Sequence, residues 1–246
     1  MLLILGGGLI AGMMNSLAGG GSFVSLPVLI AAGVPPLQAN ASSTVALFPG
    51  GVLSAWIYRE ELGPVGAVRL RPLVLTTFAG GMCGAALLLR TPAAAFEFVL
   101  PWLLLLTTAM LSFGARIGVA LAHHRRVGPW SIFLTHFCLG GYGGYFGGAL
   151  GIMMMAAWNL LDTRAAGSPH APRTLLVSSA NVAAVVIFSA AHAVCWRQTL
   201  VMLVGAMAGG YIGARIGRRA PPRLVRAGTI LLAACITAMF FARAYS

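Results

Sequence analysis

The sequence predicts an all-α polytopic membrane protein. Its expected plan is two inverted repeats, each a glycine-broken helix pair plus three transmembrane helices, about eight to ten membrane segments in all. Three observations carry this. The chain of 246 residues is 59% hydrophobic and 8% charged, with mean hydropathy +0.90, and its apolar runs are long instead of short and alternating, which selects helices over a β-barrel. Two runs are broken by glycines, at Gly19, Gly20 and Gly21 and again near Gly147. The order of features in the first half then returns in the second.

The apolar runs fall near 2–18, 22–34, 38–58, 70–89, 96–115, 130–147, 149–161, 174–195, 198–214 and 224–242. A span needs about 20 residues. The pairs 2–18/22–34 and 130–147/149–161 are therefore short, and each reads as two helices meeting at a break. Glycine gives up about 1 kcal/mol of helix propensity against alanine. A broken helix in lipid also leaves backbone groups that only protein or a water-filled cavity can satisfy, so the breaks are expected to face the interior. GGMCGA at 80–85 recurs as GGYIGA at 209–214, each followed by Arg and Pro (Arg90, Pro92; Arg218, Arg219, Pro221). The expected organisation is a repeat over 1–118, a cytoplasmic linker at 119–128 and a second repeat over 129–246.

The cations decide the topology. All sixteen are arginines. If each broken pair made a single span, Arg59, 69, 71, 116, 125, 126, 197 and 243 would lie on one side and Arg90, 164, 173, 215, 218, 219, 223 and 226 on the other, eight against eight. If each pair goes in and returns, only Arg90, 197 and 243 lie on one side and the other thirteen oppose them. Thirteen against three is a strong positive-inside bias. This second arrangement puts both termini outside. It gives each repeat five elements, and an odd number inverts the second repeat relative to the first.

A net charge of +12 would suggest nucleic acid in a soluble protein. Here the arginines sit in short loops and read as topology determinants and lipid-headgroup partners, so no nucleic-acid partner is expected. Cys83, Cys138, Cys195 and Cys235 lie far apart in or beside apolar runs and read as buried small hydrophobes. The start, MLLILGGGLI, lacks a basic n-region and an A-x-A site and reads as the first membrane segment.

Acidic chemistry is nearly absent. Glu60 and Glu61 lie beside Arg59 in a loop, Asp162 lies near Arg164, and Glu97 opens a run at the interface. No carboxylate sits mid-span, which argues against a carboxylate proton relay, a dedicated cation site and a Ser-His-Asp hydrolase. An enzyme is therefore not expected, nor is a cofactor or a metal. His136 and His192 read as packing and interface residues, proton coupling being the alternative. Met153, Met154 and Met155 point three ways on a helix and cannot converge on an ion.

What remains is small neutral donors at the two breaks. Asn15 and Ser22 flank Gly19, Gly20 and Gly21. Asn40, Ser42, Ser43 and Thr44 are good N-cap types and are expected to open the next helix. Gly147, Gly148 and Gly151, followed by Ser178, Ser179 and Asn181, form the counterpart. Close packing through small residues is the plain alternative. Two matched clusters favour a binding site, and neutral donors without a buried acid suit an anion. Arg173 adds charge there or serves as a topology signal.

NSLAGGGSF, QANASSTVALFPG (38–50) followed by Trp56, Tyr58 and Arg59, GGYFGGALGIMMM (143–155) and GGYIGARIGRR (209–219) together resemble the TauE/SafE sulfite exporter family. The resemblance covers nearly the whole chain, in order. It implies a bacterial inner-membrane permease that moves sulfite, sulfoacetate or related organosulfur anions without ATP. The family's Lys before the second polar helix is matched by Arg173 and its Asn by Asn181, whereas the loop 162–172 is less typical. The expectation is a secondary transporter, an exporter working by alternating access, that binds its anion at the broken helices. The alternative is a non-transporting membrane partner or assembly subunit. A homodimer is also open, since the faces Gly80–Gly84 and Gly209–Gly213 can pack within a protomer or across two.

Overall fold

The computed structural model describes residues 1–57, 59–62, 65, 68–121, 128–161, 170–217 and 222–245. Tyr58, linker residues 122–127, Asp162, Arg164, Arg218 and Arg219 lie outside them. The helices are α1 (Leu2–Ala18), α2 (Ser22–Ala31), α3 (Pro36–Ile57), α4 (Leu70–Arg90), α5 (Ala93–Leu121), α6 (Pro129–Tyr145), α7 (Leu150–Leu161), α8 (His170–Ala190), α9 (Trp196–Gly217) and α10 (Pro222–Tyr245), with a 3-10 turn at Arg59–Glu61. The chain is an all-α polytopic membrane protein. Leu70–Arg90, Ala93–Gly114, Pro172–Ala190 and Trp196–Ile216 are long and apolar enough to cross a bilayer. Large apolar side chains such as Trp130, Leu75 and Leu231 stand exposed on the outer face, where lipid replaces water as the solvent.

Element boundaries follow local chemistry. Gly128 is extended, and Pro129 opens α6 with its fixed φ and no orphan N–H. Thr91 is extended ahead of Pro92, as the residue before proline must be, and ends α4. α1 stops at Gly19 with φ +71, its N–H closing on the Asn15 carbonyl. Gly147, with φ +76, does the same at the end of α6. This left-handed conformation penalises any side chain with a Cβ, which explains a glycine at both breaks.

At about 15 and 18 Å, α2 and α7 are too short for a hydrocarbon core of about 30 Å. Each folds back along the helix before it. Gly7 of α1 lies against Val28 of α2, and the Ala11 carbonyl lies beside Gly21. In the second pair, Gly143 lies against Leu150, and His136 is bonded to Trp158. Both pairs are antiparallel hairpins, the in-and-return arrangement that the arginines select.

Two glycine seams hold the bundle together. A Cβ at Gly8 or Gly12 of α1 would overlap the Met202 or Ala206 carbonyl of α9, and one at Gly205 or Gly209 of α9 would overlap the Leu5 or Leu9 carbonyl of α1. The α4–α6 seam is built alike: Gly80 and Gly84 meet the Phe137 and Gly141 carbonyls, while Gly140 and Gly144 meet those of Thr77 and Gly81. Without a hydrophobic force between helices in lipid, such close backbone approach supplies the dispersion contact. Gly80–Gly84 and Gly209–Gly213 thus pack within the protomer. Elsewhere α3 crosses α8, and α5 lies along α10, where Thr108 and Thr237 share a hydrogen bond of 2.9 Å.

Two expectations are corrected. α3 begins at Pro36 and α8 at His170, so Asn40–Thr44 and Ser178–Asn181 lie inside their helices. Their backbone N–H groups belong to the helical ladder, and only their side chains reach outward. The cysteines are not buried small hydrophobes: Cys83, Cys138 and Cys235 are exposed on the outer surface and Cys195 is half-buried.

Candidate functional site

The hairpin tips and α3 define the candidate site. Gly21, at the first tip, packs 3.1 Å from Leu47, measured from where its Cβ would stand. Gly147, at the second tip, lies 3.9 Å from the Thr44 hydroxyl on the same basis. Thr44 and Leu47 sit at the middle of Pro36–Ile57. Both breaks therefore converge on the centre of one helix, from two sides.

α3 presents a different polar residue to each neighbour. Asn40, 2% exposed, donates its amide to the Tyr145 carbonyl at 2.9 Å, tying α3 to the last turn of α6. Ser43 bonds Ser25 of α2, and the Ser25 hydroxyl also reaches the Gly21 carbonyl at 3.2 Å. Ser42 accepts the Cys195 backbone N–H at 3.0 Å, and the Cys195 thiol donates to Gln38 at 3.2 Å, pinning the turn between α8 and α9. Thr44 donates to its own helix, at the Asn40 carbonyl, 3.0 Å away.

Around the second tip, Tyr142 bonds Thr107 of α5 at 2.6 Å. The Thr107 proton goes to the Leu103 carbonyl, so Tyr142 is the donor between them. A Cβ at Gly148 would stand 3.4 Å from the Thr107 methyl. Gly151 makes room for Arg173, whose Cδ and Nε would stand 3.8 and 3.9 Å from a Cβ there, and the Arg173 guanidinium reaches the Met155 sulfur. Arg173 is thus folded onto α7, behind the tip.

The remaining sequence candidates divide. Asn15 is half-buried and packs against Gly21. Gly20 is buried, with ordinary clearance of 3.4 Å from the Phe23 ring. Ser22 is half-buried as the first residue of α2. Ser179 donates to the Leu176 carbonyl at 2.7 Å. Ser178 is 5% exposed, and its hydroxyl has no partner among the described residues. Asn181, one turn on and half-buried, lies on the same helical face as Ser178. Sequence reasoning missed Ser25, Thr107, Tyr142 and Tyr145. A small polar residue one turn past the Gly19–Gly21 break marked Ser25; the others carried no local signal.

His136 is fully buried between α6 and α7. Trp158 donates its indole N–H to Nε2 at 3.0 Å, so Nδ1 carries the proton and donates to the Ile132 carbonyl at 2.7 Å. Both ring nitrogens are engaged, and the histidine fastens the second hairpin, in line with its reading as a packing residue. Trp158→Phe is expected to lower stability by about 1 kcal/mol, the scale of a buried hydrogen bond in a membrane protein; thermal unfolding in detergent reads this, and an unchanged Tm would contradict it. Met154 is buried, Met153 half-buried and Met155 exposed, so the three do diverge.

A polytopic helical bundle with two broken-helix hairpins meeting on one central helix is the architecture of a membrane permease. The family model described as "Sulfite exporter TauE/SafE" matches residues 4–240, and the chain belongs to that family. The chain is 28% identical over 230 residues to "Probable membrane transporter protein YfcA" of Escherichia coli (strain K12), covering 94% of this chain and 85% of that protein. It is 30% identical over 220 residues to "Probable membrane transporter protein ORF9" of Sinorhizobium sp, covering 88% and 83%. A "Probable membrane transporter protein" of Haemophilus influenzae is 26% identical over 232 residues, covering 94% and 90%. No solved structure matches the chain.

Proposed function

We propose that the protein is a secondary transporter, an exporter of small sulfur-containing anions such as sulfite or organosulfonates, in the bacterial inner membrane. The observation that carries this reading is the convergence of both hairpin tips on the centre of α3, at Leu47 and Thr44. A helix 22 residues long spans about 33 Å, so its centre falls near the bilayer midplane, the level at which transporters with broken helices hold their substrates. The starts of α2 and α7 bring the positive ends of two helix dipoles to that level, which favours a negative ligand. No described carboxylate stands there to repel it, since Glu60 and Glu97 are exposed outside the bundle.

The two halves, 1–118 and 129–246, are proposed to be inverted repeats that rock against each other. Support comes from their exchanged packing: the first helix of each half lies against the fourth helix of the other, with glycines in matching register. The Thr108–Thr237 bond joins the two fifth helices and lies where a pseudo-twofold axis would pass. No residue of the site suggests a coupling ion, so the membrane potential on the anion is the simplest driving force. A homodimer, if formed, would use surfaces other than the two glycine seams.

The test is anion flux in proteoliposomes loaded with sulfite, with sulfate, thiosulfate, sulfoacetate and chloride as competitors. Saturable sulfite efflux inhibited by the close analogues is expected. No flux of any of these from folded, inserted protein would overturn the assignment.

A further inference from the structure

Nearly every hydroxyl near the site is already engaged. Ser25, Thr44, Thr107 and Ser179 give their protons to backbone carbonyls, Ser43 gives its proton to Ser25, and Tyr142 gives its own to Thr107. These groups hold helices together and have no proton left for an anion. Ser178 differs: it is 5% exposed, and its oxygen has no hydrogen-bond partner among the described residues. A buried hydroxyl without a partner carries a desolvation penalty that a protein rarely retains without use.

The setting of Ser178 is specific. The pattern Pro-x5-Ser-Ser occurs at Pro36–Ser43 and again at Pro172–Ser179. Ser42, the counterpart of Ser178, accepts the Cys195 N–H of the turn that follows α8, whereas Ser178 faces α3 instead. A Cβ at Gly51 would stand 3.5 Å from the Ser178 oxygen, an ordinary contact, so the hydroxyl lies against the Gly51 backbone of α3. Asn40, Thr44, Leu47 and Gly51 recur at helical spacing on one stripe of α3. Gly51 is two turns, about 10 Å, beyond Thr44. Asn181, which makes no hydrogen bond among the described residues, shares the Ser178 face.

We propose that Ser178 is a direct hydrogen-bond donor to the transported oxyanion at the α3–α8 crossing, with Asn181 beside it. The inference rests on the chain being an oxyanion transporter, and it names the donor within that site. A sulfite or sulfonate group presents several charged acceptor oxygens, each suited to a neutral O–H or N–H.

The test compares Ser178→Ala with wild type in the sulfite efflux assay and in thermal unfolding with and without sulfite. Thr76→Ala on the outer face of α4 serves as a control. Ser178→Ala is expected to raise the half-saturating sulfite concentration about tenfold, the scale of one hydrogen bond to a charged group. It is expected to keep or raise Tm without anion and to lose the sulfite-induced Tm shift. Wild-type efflux together with a Ser178→Ala half-saturation within twofold of it and an intact Tm shift would overturn the inference, the hydroxyl then serving only an ordered water. Absence of wild-type efflux would fell the transporter reading and this inference with it.

Discussion

Gly84→Leu is expected to abolish the folded protein. A Cβ at Gly84 overlaps the Gly141 carbonyl oxygen, and the neighbouring Tyr145 nitrogen lies 2.9 Å from it. Both are backbone atoms inside α6 and cannot swing aside as a side chain can. Accommodating leucine therefore means separating α4 from α6, with loss of the contacts at Gly80, Gly81, Gly140 and Gly144 as well. Overpacking a tight interior costs about 1–3 kcal/mol where side chains yield, and the cost here should exceed about 3 kcal/mol, a large fraction of a typical total stability. Yield of monodisperse protein on size exclusion reads the effect. Gly6→Ala is the contrast: it has no neighbour within 4 Å, and removing a mid-helix glycine should stabilise by up to about 1 kcal/mol. Equal behaviour of the two variants would refute the close-packed seam.

Gly19→Val is expected to lower sulfite transport at least tenfold while leaving the protein in the membrane. Gly19 has φ +71, and a Cβ built there has nothing within 4 Å, so the cost of a side chain is one of backbone conformation. A β-branched residue in the left-handed region costs about 1–3 kcal/mol of local strain, and the first tip would relax by shifting against Leu47 of α3. Asparagine tolerates this conformation far better, so Gly19→Asn should keep most of the flux. Efflux assays on both variants, normalised to inserted protein, decide the matter. Comparable loss in both would mean that the small size of the residue matters and not its backbone conformation.

The hairpins were legible in the sequence because their causes are local. Three consecutive glycines, a second break at Gly147 and the placement of sixteen arginines each reflect a physical cost that only a return helix resolves. The repeated glycine motifs were legible too, but their partners were not. Nothing near Gly80 or Gly209 in the chain says that one meets α6 and the other α1. The fate of each polar residue was likewise hidden. Ser42 and Ser178 look equivalent in sequence, yet Ser42 accepts the Cys195 N–H across the fold and Ser178 lies against Gly51 with no hydrogen-bond partner among the described residues. The cysteines were misplaced because a membrane helix is apolar on its lipid face and on its core face alike, so periodicity carries no inward direction. The N-cap expectation failed at Pro36 and His170, where the helices begin one or more turns before the polar residues.

The most direct test of an anion site between the hairpin tips is anomalous diffraction from crystals grown with selenite, a pyramidal oxyanion of the same shape class as sulfite with a scatterer at its centre. The account predicts a selenium peak beside α3, between Thr44 and Gly51 and within hydrogen-bonding reach of Ser178. A peak only at surface arginines, or none at selenite concentrations that compete with sulfite efflux, would contradict it.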